Sequence, residues 1–74
     1  MIVEVFGKVL RELREANHLS QEKLAEYCEL DWTYISPLER GLRQPTITTI
    51  FKLAKALNIS PSQLIEKVEV QAKP

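Results

Sequence analysis

Side chains able to carry out covalent or acid–base chemistry are scarce in this 74-residue chain. One histidine, His18, and one cysteine, Cys28, stand ten positions apart. A nucleophile needs a partnered base, and a zinc site needs several N or S ligands at recurring spacing. This pair supplies neither, and no glycine-rich phosphate loop accompanies it. An enzyme, a metal and a cofactor are therefore not expected. Cys28 reads as a small buried thiol rather than a redox switch, and a lone cysteine leaves no internal disulfide and suits a reducing compartment. What remains is charge. The formal net charge is zero, which does not advertise a partner for nucleic acid, but its distribution is uneven. From Glu12 to Glu39 seven acids stand against two bases, whereas Arg40 to Leu57 holds Arg40, Arg43, Lys52 and Lys55 and no acid. That basic segment either faces phosphate or forms a solvated surface.

The elements that must position these groups are helical. Hydrophobic residues at 45% and charged residues at 27% give a globular chain rather than a disordered one. At this length the single core is marginal, and help from oligomerisation is expected. No signal-type leader and no apolar run near the roughly 18 residues of a membrane span is visible, so the expected setting is cytoplasmic, with no membrane partner. Phe6, Val9, Leu10 and Leu13 recur at the spacing of one helical face. Asn17-His18 then offers a left-handed helix end. Ser20 can cap a second helix at about 21–28 whose inner stripe is Leu24, Ala25 and Cys28, and Asp31 a third at about 32–40 with Ile35 and Leu38 inward. Gly41 suits the left-handed terminator of that third helix. Thr46 caps a fourth helix carrying Ile50, Leu53, Ala54 and Leu57 inward and ending at Asn58. Ser60-Pro61 is a cap followed by proline at the first helical position, opening a fifth helix with Leu64, Ile65 and Val68 on one face. The fold class expected is all-α, a five-helix bundle over 1–69, with a frayed tail at 70–74.

Two short capped helices joined by a tight turn form a helix-turn-helix, whose second helix can enter a DNA major groove roughly 12 Å wide. Here the residues become recognisable. The run LSQEKLAEYCELDWTYISPLERGLRQPTITTIFKLAKALNISPSQL resembles the Cro/C1-type (XRE) helix-turn-helix family, with the markers LSQ-x-x-LA, YIS-x-LERG, P-T and LAKALNIS. The WTYIS-x-LERG segment looks most like the controller proteins of restriction–modification systems and small phage-type repressors, and the resemblance spans about Phe6 to Glu66. It implies a lambda-repressor-like domain that binds double-stranded DNA as a homodimer on a pseudo-palindromic operator and regulates transcription. Repression or activation would follow from where that operator lies.

Carried over position by position, the resemblance implies that Gln21 meets a phosphate at the start of helix 2. Trp32, Thr33, Ser36 and Pro37 fall on the outward face of helix 3, where family members read bases. Arg40 and Arg43 match positions that touch backbone or groove, and Gln44 and Thr46 add backbone contacts. Arg43 lies on a loop with no evident structural duty, whereas Arg40 could instead be a helix-end cation favoured by the macrodipole. The family also pairs an arginine at the end of helix 1 with the glutamate of the ERG motif, here Arg14 and Glu39, as a scaffold rather than a contact. Helix 5 and the end of helix 4 would supply the dimer interface through Leu57, Ile59, Leu64, Ile65 and Val68, a stripe the intramolecular core must share.

The chain departs from the pattern at several places. Trp32 stands where controller proteins carry arginine. Pro37 lies inside helix 3, where it removes the bond to the Thr33 carbonyl and is expected to bend the helix or leave its first turn 3₁₀-like. Glu22, Glu26, Glu29 and Asp31 place negative charge near the expected DNA face, and His18 stands where the family favours glycine. An alternative therefore stays open: a protein-interaction module, or an antitoxin-like partner protein, that docks through the Trp32/Pro37 face and binds DNA weakly.

Overall fold

The computed structural model describes residues 1–73 and consists of five helices in chain order: α1 (Ile2–Ala16), α2 (Gln21–Cys28), α3 (Trp32–Glu39), α4 (Ile47–Ala56) and α5 (Pro61–Ala72). Each start after the first is set by a side chain that satisfies an orphan backbone N–H. Ser20 Oγ accepts from Lys23 N (3.0 Å), Asp31 Oδ1 from Thr33 N (2.9 Å), Thr46 Oγ1 from Thr49 N (3.1 Å) and Ser60 Oγ from Gln63 N (3.1 Å). Gln63 closes a full capping box by accepting the Ser60 N–H at 2.8 Å. Helix α5 runs to Ala72, past the point where the pattern placed a frayed tail. Its Gln71 amide donates to Glu12 at 2.8 Å, which ties that end to α1. Pro74, the last residue of the expected tail, lies outside the described residues.

The helix ends share one device. Residues with positive φ close α1, α2, α3 and α4: His18 (59°), Glu29 (57°), Gly41 (71°) and Asn58 (60°). In each case the following N–H reaches back five residues: Leu19 to Arg14, Leu30 to Ala25, Leu42 to Pro37 and Ile59 to Ala54, at 2.9–3.1 Å. This is the Schellman closure, which consumes carbonyls the helix leaves unpaired. Gly41 adopts its φ without Cβ strain, whereas His18 and Glu29 do so against the preference of L side chains. The left-handed end expected around Asn17-His18 falls on His18, Asn17 keeping φ −90°.

Packing places α3 between α1 and α2, α4 against α2 and α5, and α5 against α1. The core is built from Phe6, Val9 and Leu10 of α1, Leu24, Ala25 and Cys28 of α2, Ile35 and Leu38 of α3, Leu53 and Ala54 of α4, and Leu57, Leu64 and Val68 beyond it. Leu13 and Ile50, expected inward, border this core half-buried, and Ile65 is exposed. Gly7 sets the approach of α1 to α3. A Cβ there would stand 2.5 Å from the carbonyl oxygens of both Leu38 and Glu39, so only a residue without one lets the helices meet.

Pro37 does not break α3, which stays α-helical from Trp32 to Glu39. The first turn carries a three-residue bond, Tyr34 N to the Asp31 carbonyl (2.9 Å). The Thr33 carbonyl, which the proline deprives of its donor, belongs to an exposed residue that water can reach. Among the described residues no helix is long and apolar enough to cross a membrane, and no cluster of His, Cys, Asp or Glu is arranged to hold a metal ion.

Candidate nucleic-acid interface

The side chain that locks α3 in place is Glu39. Arg14 Nε donates to its Oε2 at 2.6 Å and Arg14 Nη2 to its Oε1 at 3.1 Å, a bidentate pair. The remaining arm of the guanidinium, Nη1, donates to the Leu19 carbonyl at 2.7 Å. One network thus joins the end of α1, the turn into α2 and the last turn of α3. Both side chains are withdrawn from water, at 12% and 3% exposure. The hydrogen bond to Glu39 holds the Arg14 pKa above its ordinary value, against the opposing effect of burial. Gln21 belongs to the same network: its Nε2 donates to Glu39 Oε1 at 3.1 Å. The side chain expected to meet phosphate is thus engaged in the scaffold.

Helix α3 presents Trp32, Thr33, Ser36, Pro37 and Arg40 along one side, at the spacing of a single helical face. Trp32, Thr33 and Arg40 are exposed, while Ser36 and Pro37 are half-buried. The Thr33 hydroxyl donates to Asp31 Oδ1 at 2.7 Å. The Thr33 backbone and hydroxyl bonds together hold the Asp31 carboxyl below its ordinary pKa. Asp31 therefore stays ionised at the N-terminus of α3, where the macrodipole favours a negative charge.

Beyond α3, Arg43 and Gln44 are exposed on the loop. Arg43 has a structural duty that the loop position did not reveal. Its guanidinium lies 5.1 Å from the centroid of the half-buried Tyr34 ring, a cation–π contact that pre-positions the charge beside α3. Thr46 is spent as the α4 cap, and its hydroxyl shares a further bond with Thr49 Oγ1 at 2.9 Å. The basic segment is not one patch. Arg43 borders a depression with Asp31, Thr33, Tyr34 and Pro37, whereas Lys52 and Lys55 lie on α4 beside Tyr27 and Cys28 of α2. Of the acids expected near this face, Glu26 is offset by Lys23 at 3.5 Å. Burial raises the Cys28 thiol to about 11, Lys52 opposing.

The stripe assigned to a dimer interface needs correction. Leu57, Leu64 and Val68 are 2%, 0% and 5% exposed; the five-helix core claims them, and they have no surface left for a partner. Ile59 is half-buried and Ile65 exposed. The apolar surface that is free includes two residues the sequence pattern did not single out, Ile47 and Phe51, at 73% and 58% exposure. They stand four residues apart on the side of α4 opposite Leu53, a spacing readable as a second stripe. Phe51 shares a groove with Ile59 and Pro61, and Ile65 follows Pro61 by one turn.

A protein-family model described as helix-turn-helix matches residues 10–64. The control protein C.BamHI of Bacillus amyloliquefaciens is 43% identical over 63 residues, covering 84% of this chain and 78% of its own. The control protein C.SmaI of Serratia marcescens is 44% identical over 66 residues, covering 89% of this chain and 79% of its own. Among solved structures, the restriction–modification controller protein C.AhdI from Aeromonas hydrophila superposes with a TM-score of 0.81 at 48% identity, covering 84% of this chain and 94% of that one. The reading of the Trp32/Pro37 face as a protein-docking site gains no support from these matches.

Proposed function

The chain belongs to the Cro/C1-type helix-turn-helix family and is a DNA-binding transcriptional regulator, and from that premise we propose that it acts as a homodimer on a pseudo-palindromic operator. The observation that carries the dimer is the apolar surface of exposed Ile47 and Phe51 on α4 and Ile65 on α5, with half-buried Ile59 in the turn between the helices and half-buried Pro61 at the start of α5. An exposed apolar patch on so small a domain marks an association surface. The domain measures 34 × 23 × 22 Å, and α3, with eight residues, is roughly 12 Å long. One chain fills one groove, and a two-fold pair sets its two α3 helices about 34 Å apart, in successive major grooves.

In this arrangement α3 enters the groove with Trp32, Thr33, Ser36 and Pro37 towards the bases. The first turn of α2 meets phosphate through its backbone N–H groups, with the Gln21 side chain steadying it from Glu39. Arg43, held by Tyr34, together with Arg40 and Gln44, meets the flanking backbone. The control-protein relatives support restriction–modification genes as the regulated set. The cytoplasm, where bacterial DNA lies, is the corresponding location.

The test is oligomeric state. Light scattering should give twice the mass of one chain for the wild type and a single-chain mass for Phe51→Glu, with unchanged helical circular dichroism because Phe51 contributes little to the core. A wild type that stays monomeric, or a Phe51→Glu variant that stays dimeric, would overturn this interface.

A further inference from the structure

The outward face of α3 is short of groups that can hydrogen-bond a base. Trp32, its first residue, holds its indole 55% exposed. Thr33 has a hydroxyl, but both that hydroxyl and the Thr33 backbone N–H are committed to Asp31 Oδ1, at 2.7 and 2.9 Å. With its oxygen drawn to the cap, Thr33 has its methyl group to present. Pro37 follows Thr33 by four residues on the same face, half-buried, with a ring that carries no donor. Ser36 is half-buried, and Arg40 at the C-cap is the first charged side chain along the helix face itself. Asp31 and Arg43 flank that face in the depression they share with Thr33 and Pro37.

A B-form major groove displays hydrogen-bonding edges at every base pair and one apolar group, the C5-methyl of thymine. Reading guanine takes an Arg or Lys, and reading adenine an Asn or Gln; the first two turns of α3 contain none of these. An indole, a threonine methyl and a proline ring together match the one apolar feature. On the reading of α3 as the groove helix, from which this inference follows, we propose that Trp32, flanked by the Thr33 methyl and the Pro37 ring, selects thymine in each half-site by packing on its C5-methyl. Asp31 is the positioning residue: by accepting from the Thr33 hydroxyl it leaves the Thr33 methyl beside Trp32 and Pro37.

The test compares thymine with uracil, which lacks only this methyl. Duplexes bound by the wild-type chain are selected from a random pool, and the selected sequence is remade with deoxyuridine at one thymine at a time. Anisotropy titrations should show one thymine per half-site whose replacement weakens binding about fourfold, the affinity equivalent of burying one methyl-sized group. Trp32→Ala, a change at an exposed position that circular dichroism should show to be folded, should bind the thymine and uracil duplexes equally. Trp32→Arg should prefer guanine at that position. A flat uracil scan, or the same uracil loss in Trp32→Ala, would overturn Trp32 as the thymine reader while leaving the regulator intact. A pool that enriches no sequence would overturn it together with the groove-helix reading beneath it.

Discussion

Removing the Glu39 carboxylate should destabilise the fold more than its surface address on a recognition helix suggests. In the folded chain it accepts three hydrogen bonds, two from Arg14 at 2.6 and 3.1 Å and one from Gln21 at 3.1 Å, with its side chain 3% exposed. In Glu39→Ala the Arg14 guanidinium keeps the Leu19 carbonyl and loses its counter-charge. Breaking one side of a buried pair costs roughly 3–5 kcal/mol. The 12% exposure of Arg14 lets some water reach the orphaned charge, so the low end, about 3 kcal/mol, is expected. At about 4–8 °C per kcal/mol for a domain of this size, the melting temperature should fall by roughly 12–24 °C. Replacing both partners by apolar residues, Arg14→Met with Glu39→Leu, removes the uncompensated charge and should recover most of that loss. Denaturant titrations followed by circular dichroism read all these variants. A loss below about 1 kcal/mol for Glu39→Ala, or a double variant no better than the single one, would refute the buried-network account.

Gly7→Ala should lower stability by about 1–3 kcal/mol even though alanine is the better helix former, because its Cβ would meet the α3 carbonyls; an unchanged or raised melting temperature would contradict the close approach. Arg43→Ala should weaken binding to all duplexes and reduce the salt slope by about one unit for each phosphate that Arg43 neutralises, and an unchanged slope would remove Arg43 from the groups that meet the DNA backbone. The Cys28 thiol, pushed up to about 11 by burial, should resist alkylation at neutral pH while the chain is folded; labelling as fast as in denaturant would contradict its burial. The same shift favours the native state fully below the unfolded thiol pKa of about 8.5, and that contribution should be lost as pH rises from there through about 11.

What the sequence made legible is the chemistry that acts over one turn. Ser20, Asp31, Thr46 and Ser60 announced four helix starts because a capping oxygen needs an N–H only two or three residues away. Gly41 announced one helix end for the same local reason. Asn17-His18 marked a second end, which the structure places on His18, whereas Glu29 gave no such signal, because a glutamate has no local preference for the left-handed φ it adopts there. Gly7 was silent because its reason, the carbonyls of Leu38 and Glu39, lies across the fold.

The site divided along the same line. The resemblance named the Arg14–Glu39 pair, but no local pattern draws Gln21 into it or lays Arg43 over Tyr34. Pro37 suggested a bend or a 3₁₀-like first turn from its missing donor; the helix continues to Glu39, and its first turn carries the three-residue bond from Tyr34 N to the Asp31 carbonyl. An apolar stripe looks alike in sequence whether it faces its own core or a partner. Leu57, Leu64 and Val68 went to the core, and Ile47 and Phe51 stay exposed on the far side of α4.

The most direct measurement is an anisotropy titration of the wild-type chain, at two salt concentrations, against the duplex it selects from genomic DNA, with an unrelated duplex as control. The account predicts two chains per duplex, tighter binding to the selected sequence than to the control, and affinity that falls as salt rises. One chain per duplex, or a selected duplex held no more tightly than the control, would contradict it.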